Sequence, residues 1–185
     1  MQKVDRSENQ FVDWVEDAAK GKREAFGRLY EQFSVAMYNI CIRMVCEKSL
    51  AEDILHESFI TAFNNIKTLR EPARFGGWLK QITVRKCIQH TASKYNFSEL
   101  NDHEHFPDER EEHWWEGISM ADIQNAIKEL PDGCREIFNL FAVENYAHRD
   151  IAELLQVSES TSKSQYHRAK TLLRSKLLNV LKVNG

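Results

Sequence analysis

Hydrophobic residues recur along most of this chain with the spacing of an α-helix rather than the alternation of a strand. Phe11, Trp14, Val15 and Ala18 fall at i, i+3, i+4 and i+7. Gly21 breaks the run, and Phe26, Leu29, Tyr30, Phe33, Met37, Ile40, Cys41 and Met44 resume it. Two helices are predicted. Ser49 followed by Glu52 has the form of a capping box, and Leu55, Phe59, Ala62, Phe63 and Ile66 trace the buried stripe of the helix it would start. Pro72 stands where a loop ends and another helix begins, with Phe75, Trp78, Leu79, Ile82 and Lys86 along one side. These segments predict a three- or four-helix bundle over residues 8–95.

The apolar period is lost from about Tyr95 to Gly117, where Asn, Asp, His and Glu dominate, as in a solvated tether. A linker over 96–117 is therefore expected, followed by a second domain over 118–182. That domain opens with Ser119 as N-cap, Asp122 three residues later, and Ile123, Ala126, Ile127 and Leu130 facing inward until Pro131. Another helix runs through Ile137, Phe138, Leu140 and Phe141. Then a short helix holds Ile151, Leu154 and Leu155 inward, a turn carries Val157, and Ser158 caps a long helix with Lys163, His167, Arg168 and Lys170 outside. This is the pattern of a helix-turn-helix with a basic second helix, which a plain helical hairpin would share. The fold class expected is all-α, with an N-terminal helix bundle and a C-terminal four-helix domain joined by an acidic linker.

Composition narrows the classes. Seven Gly and three Pro in 185 residues are too few turns for an all-β sandwich. No stretch has the length and apolarity of a membrane span or a secretory signal, so a cytoplasmic protein is expected. Cys41, Cys46, Cys87 and Cys134 form no CxxC pair and no zinc spacing, so no metal or other cofactor is expected and the thiols are read as small buried hydrophobes. Net charge is only -3, but it is segregated. Residues 66–95 hold 7 basic side chains against Glu71, residues 96–122 hold 9 acidic ones against Arg110, and 161–185 hold 6 basic and no acidic ones. Two basic blocks flanking an acidic one fit two contacts with a polyanion, or ordinary solvated helix faces.

Three segments in order resemble the sigma-70 family of bacterial RNA polymerase initiation factors, in its compact extracytoplasmic-function form. Ala51-Glu52-Asp53-Ile54-Leu55-His56-Glu57-Ser58-Phe59 is similar to the family's polymerase-binding helix. Phe75-Gly76-Gly77-Trp78-Leu79-Lys80-Gln81-Ile82 resembles the start of its -10 reading helix, and Leu130-Pro131 with the helix-turn-helix resembles its -35 reading domain. The resemblance covers roughly residues 8–180. It implies a factor that binds core RNA polymerase, directs it to promoter DNA and helps melt the duplex, often under an anti-sigma factor.

By the same resemblance, Glu52, Asp53, His56 and Glu57 would meet a basic surface of polymerase, although the same residues also describe an ordinary solvated helix turn. Lys67, Arg70, Arg74, Lys80, Arg85 and Lys86 would meet phosphates near the -10 element, and Phe75 or Trp78 would stack on a base, with core packing as the other role open to both rings. Ser160, Thr161, Lys163, Ser164, His167 and Arg168 would reach phosphates or base edges at -35. The acidic linker would mimic RNA charge in a basic channel, or simply stay extended by self-repulsion.

The chain departs from the family pattern at several positions. His56 replaces the usual Gln of the docking helix, and Arg85 and Gln89 replace Asn and Asp of the -10 helix. Gln156 stands at the turn position that is normally Gly, Ser162 at a core position and Gln165 where Arg is usual. His148-Arg149-Asp150 matches the start of a kinase catalytic loop, but no glycine-rich phosphate loop precedes it and no Asp-Phe-Gly follows, so no enzyme activity is expected. The alternative function is a free-standing helix-turn-helix regulator whose N-terminal bundle binds another protein or a signal.

Overall fold

The computed structural model describes residues 4–91 and 118–184, with side chains from 11 to 91 and from 118 to 181. The chain divides into two compact units, Met1–Thr91 and Ala92–Gly185, each built around its own core. All regular structure among the described residues is helical. The acidic linker expected at 96–117 lies outside the described residues.

The first unit contains α1 (Val4–Ala19), α2 (Arg23–Val45), α3 (Lys48–Asn65) and α4 (Phe75–Thr91). Gly21 turns the chain between α1 and α2 at φ +85°, a conformation for which a side chain would clash with the following carbonyl. The start of α3 corrects the expected capping box. Glu47 is the N-cap, its carboxylate accepting from the backbone N–H groups of Ser49 and Leu50 at 2.8 Å each. Glu52, freed from capping, instead lies 3.8 Å from Lys48 on the exposed side of the same helix. Leu29, Cys41, Met44, Ile54, Phe59, Ala62, Leu79, Val84 and Cys87 fill the space between α2, α3 and α4. Cys46 departs from the buried role read for the thiols. It is exposed and ends α2 in a left-handed conformation at φ 56°.

Aromatic rings tie the bundle together. Phe11 of α1 meets Phe33 of α2 edge-on at 5.9 Å, and Phe33 in turn meets Phe75 at 5.3 Å. A second row joins Phe26, Phe63, Phe59 and Tyr30 between α2 and α3. Edge-to-face and tilted pairs of this kind add to area burial about 0.5–1.5 kcal/mol each.

The second unit contains α5 (Met120–Lys128), α6 (Asp132–Phe138) continued by a π-turn over Asn139–Val143, α7 (His148–Leu155) and α8 (Glu159–Asn184). At the start of α5 the Ser119–Asp122 capping box forms in both directions. Arg135 donates to the carbonyls of Lys128 and Leu130, closing the C-terminal end of α5, and also pairs with Asp132. Ala126, Leu130, Cys134, Ala169, Leu173 and Leu177 make the core in which α5 and α6 pack along α8. The small Ala169, fully buried, lets the long helix approach its neighbours closely.

Candidate functional site

On α3, the residues with polymerase-like expectations do not share one environment. Glu52, Asp53 and His56 are exposed, and the His56 ring stacks on Tyr30 of α2 at 6.4 Å and 20°. Glu57 turns toward α4, where one carboxylate oxygen lies 3.3 Å from Lys86 Nζ and 3.4 Å from His90 Nε2. The hydrogen bond from His90, and then that from Lys86, hold this carboxyl below its ordinary range against the opposing effect of burial. Ile60, one turn beyond His56 on the same ridge, is 60% exposed. It lies outside the buried stripe of Leu55, Phe59, Ala62 and Ile66, which is the sequence signal by which it could have been found.

The basic block is exposed in its loop and mixed along α4. Lys67, Arg70, Arg74 and Arg85 face solvent, with Arg74 Nε 2.7 Å from Glu71. Lys80 is half-buried, and the Lys86 side chain is 27% exposed because it leans on Glu57. Phe75 corrects the expectation of a base-stacking ring. It is fully buried, in edge-on contact with Phe33 and tilted contact with Trp78, so its ring offers no open face to a base. A Cβ on the next residue, Gly76, would lie 2.9 Å from Phe33 Cε1, so the chain passes this ring closely. Trp78, half-buried and 6.1 Å from Phe75, keeps part of its indole at the surface.

In the second unit the turn between α7 and α8 is set by Gln156, left-handed at φ 56° and ψ 42°. Its N–H and that of Val157 both donate to the Ala152 carbonyl, so the helix end is satisfied in the usual left-handed closure although the residue is not glycine. Ser158 Oγ then accepts from Thr161 N–H at 2.9 Å and lies 2.7 Å from the hydroxyls of Ser160 and Thr161. The first turn of α8 therefore presents a cluster of hydroxyls at a helix N-terminus, a combination suited to phosphate.

Along α8 the side chains divide by period. Ser160, Lys163, His167 and Lys170 are exposed, Thr161, Ser164 and Arg168 are half-buried at its flank, and Ser162, Gln165, Ala169 and Leu173 face inward. Lys163 Nζ pairs with Glu159 at 2.7 Å, and Lys170 lies 5.7 Å above the Tyr166 ring. The two polar inward residues have found partners. Ser162 Oγ is 2.9 Å from His148 Nδ1, and Gln165 Oε1 accepts from Cys134 Sγ at 2.9 Å. His148 itself stacks on Phe141 at 4.1 Å and 13°, and burial, then the nearby Lys163 charge, lower its pKa from the ordinary histidine value. The π-turn of α6 carries Phe141, so that irregularity supplies the surface on which the start of α7 rests.

The fold and these surfaces define a class before any comparison: an all-helical protein with a helix-turn-helix unit, an exposed basic recognition helix and a separate bundle bearing both an acidic ridge and a basic segment. Residues 29–96 match the family Sigma-70 region 2 and residues 120–173 match Sigma-70, region 4, together well over half of the 185 residues. The chain belongs to the sigma-70 family and is a transcription initiation factor of the extracytoplasmic-function type. It is 28% identical over 178 residues to the ECF RNA polymerase sigma factor BldN of Streptomyces coelicolor, across 92% of this chain and 67% of that protein. To the ECF RNA polymerase sigma factor SigW of Bacillus subtilis it is 27% identical over 184 residues, across 88% and 94%. Its fold is similar to that of the sigma factor RpoE of Bartonella quintana, solved with the anti-sigma factor NepR. That match has a TM-score of 0.54 at 18% identity and covers 82% of this chain and 96% of that one. No helix among the described residues is long and apolar enough to cross a membrane, and no group of three or more His, Cys, Asp or Glu side chains among them could hold a metal ion.

Proposed function

We propose that the outward ridge of α3 docks the chain on core RNA polymerase, that the loop before α4 and the face of α4 engage the -10 strand, and that the first turns of α8 enter the major groove at -35. The observation that carries this reading is the separation of charge in the folded units. Exposed Glu52 and Asp53 share a ridge of α3, whereas exposed cations collect on the loop and α4 at Lys67, Arg70, Arg74 and Arg85, and on α8 at Lys163 and Lys170. A basic partner and a polyanion are thus offered different faces.

Ile60 gives the docking ridge an apolar end. An exposed hydrophobe on a ridge that also carries Glu52 and His56 is a candidate anchor for an interface, where its burial supplies affinity and the charge beyond it orients the partner. On α4, Trp78 retains the surface that a base could use, while Phe75 holds the helix start in place. On α8, Ser160, Thr161, Lys163 and Ser164 lie deepest if the helix enters by its N-terminal end, and His167 and Arg168 fall nearer the phosphates. The protein acts as a non-catalytic specificity subunit in the cytoplasm, where polymerase and DNA are found, and an anti-sigma factor is its third partner.

Asp53→Lys tests the docking assignment, because Asp53 is exposed and its reversal leaves the core of the bundle intact. The expected result is loss of co-elution with core polymerase and an unchanged helical spectrum. Core affinity equal to that of the parent protein would remove α3 from the interface.

A further inference from the structure

Glu57 and Lys86 belong to helices with different partners in the proposed function, yet they are bonded to each other. Lys86 Nζ donates to Glu57 Oε2 at 3.3 Å, and His90 Nε2 lies 3.4 Å from the same oxygen. Lys86 and His90 are four residues apart on α4, so they lie one above the other on one face and a single carboxylate opposite can meet both. The contact is partly withdrawn from water, with side-chain exposures of 27% for Lys86, 35% for His90 and 43% for Glu57. Beneath it α3 and α4 are locked by buried Ser58, Phe59, Thr83 and Cys87, which fixes the facing positions of the three side chains. Among the described residues both cationic partners of the carboxylate come from α4, and Lys48 of its own helix is paired with Glu52.

We propose that Glu57 is a positioning residue that holds Lys86 and His90 against α3, so that polymerase docking and DNA engagement each release the group the other requires. This rests on the reading in which α3 meets polymerase and α4 meets DNA. When a basic surface of polymerase takes the Glu57 carboxylate, Lys86 and His90 are left facing solvent with donors that a phosphate can accept. When a phosphate takes Lys86, the carboxylate is released toward polymerase. By linkage polymerase and DNA raise each other's affinity by the same factor, set by the free energy of the Glu57 contacts that both binding events break. For a pair this exposed the effect is small, about two- to fivefold in affinity. Lys86, half-buried against Glu57, thereby reaches DNA only after release, and the more exposed His90 joins it once its bond to the carboxylate is broken.

The test is a double-mutant cycle on the full-length chain. Binding to labelled single-stranded oligodeoxythymidine is followed by fluorescence anisotropy, and binding to purified bacterial core polymerase is titrated in parallel. Glu57→Gln should tighten DNA binding about two- to fivefold and steepen its salt dependence, since an additional cation then meets phosphate. The same substitution made on a Lys86→Gln, His90→Gln background should leave DNA affinity unchanged. From the other side, Lys86→Gln with His90→Gln should tighten core binding by a similar factor in the parent chain and leave it unchanged when Glu57 is already Gln. Equal effects in both backgrounds would mean that only net charge has been altered, and no effect of Glu57→Gln on DNA would mean that the carboxylate withholds nothing; either overturns the proposal. The underlying reading is read out separately on holoenzyme with a pre-melted promoter, where Lys86→Gln should weaken binding. If it does not, α4 has been assigned wrongly, and that failure is distinct from absence of coupling in a Lys86 that does touch DNA.

Discussion

Replacing Gln156 by glycine should stabilise the second unit without altering the surface it presents. Gln156 holds φ 56° and ψ 42°, where the Cβ of an L-residue crowds the following carbonyl at about 1–2 kcal/mol. Glycine removes that strain but returns about 0.5–1 kcal/mol of entropy to the unfolded chain. Gln156 is exposed and the backbone closure through Ala152 involves only N–H and carbonyl groups, so no packing or hydrogen bond is lost with the side chain. The net gain is about 0.5–1 kcal/mol, equivalent to roughly 2–8 °C in the melting of a unit this size. Hydrogen exchange of the full chain reads the gain where it belongs, as increased protection of the slowest amides in α8 with those of α2 and α3 unchanged. Gln156→Ala keeps the Cβ and should give no such gain. Reduced protection in Gln156→Gly, or an equal gain with alanine, would show that the left-handed turn is not where strain resides.

Three further outcomes follow from particular contacts. Phe75→Ala should destabilise the first unit by on the order of 3–5 kcal/mol, whereas Phe75→Leu should retain strand opening on a promoter; normal stability with defective opening in both would restore the ring to a base-stacking role. Lys163→Ala should cost about 1–3 kcal/mol on the -35 element of a mapped promoter and much less on a scrambled duplex, while Arg168→Ala should weaken both equally and lower the salt slope by about one. The opposite pattern would mean that α8 lies the other way in the groove. Because His148 has a lowered pKa in the fold, its contribution to stability is complete above the unfolded value of about 6.5 and is lost as pH falls through the folded value. Acidification should therefore lower protection in α7 and α8 less in His148→Phe, which keeps the stack on Phe141, than in the parent; identical pH profiles would contradict this.

The helices were legible because most of them bury one continuous stripe, and a 3.6-residue period survives in the order of residues alone. The Ser119–Asp122 cap was legible for the same reason, since its partners are three residues apart. Ser49–Glu52 has the same spacing yet caps nothing, because the longer Glu47 side chain reaches two N–H groups first. Phe75 and Trp78 could not be separated by pattern. Which of two aromatic rings on one stripe is sealed depends on Phe33, 42 residues away in sequence from Phe75, and on the approach of α1. The polar residues Ser162 and Gln165 were recognisable as departures from the family, but their partners His148 and Cys134 come from other helices and are visible only once α6, α7 and α8 are packed. The Glu57 contact is of the same kind, joining positions 29 and 33 residues apart.

Transcription in vitro tests the account most directly. Core polymerase lacking other sigma factors is supplied with this chain and a library of duplex promoter fragments, and the 5′ ends of the transcripts are mapped. The account predicts transcripts that depend on the added chain and start at a fixed distance downstream of two shared sequence elements, with the upstream element dispensed with when Lys163 and Arg168 are both replaced by Ala and the DNA is already melted at the downstream one. Transcripts that start without the chain, or specific binding of the chain to duplex DNA with no start sites and no association with core, would contradict it and favour a free-standing helix-turn-helix regulator.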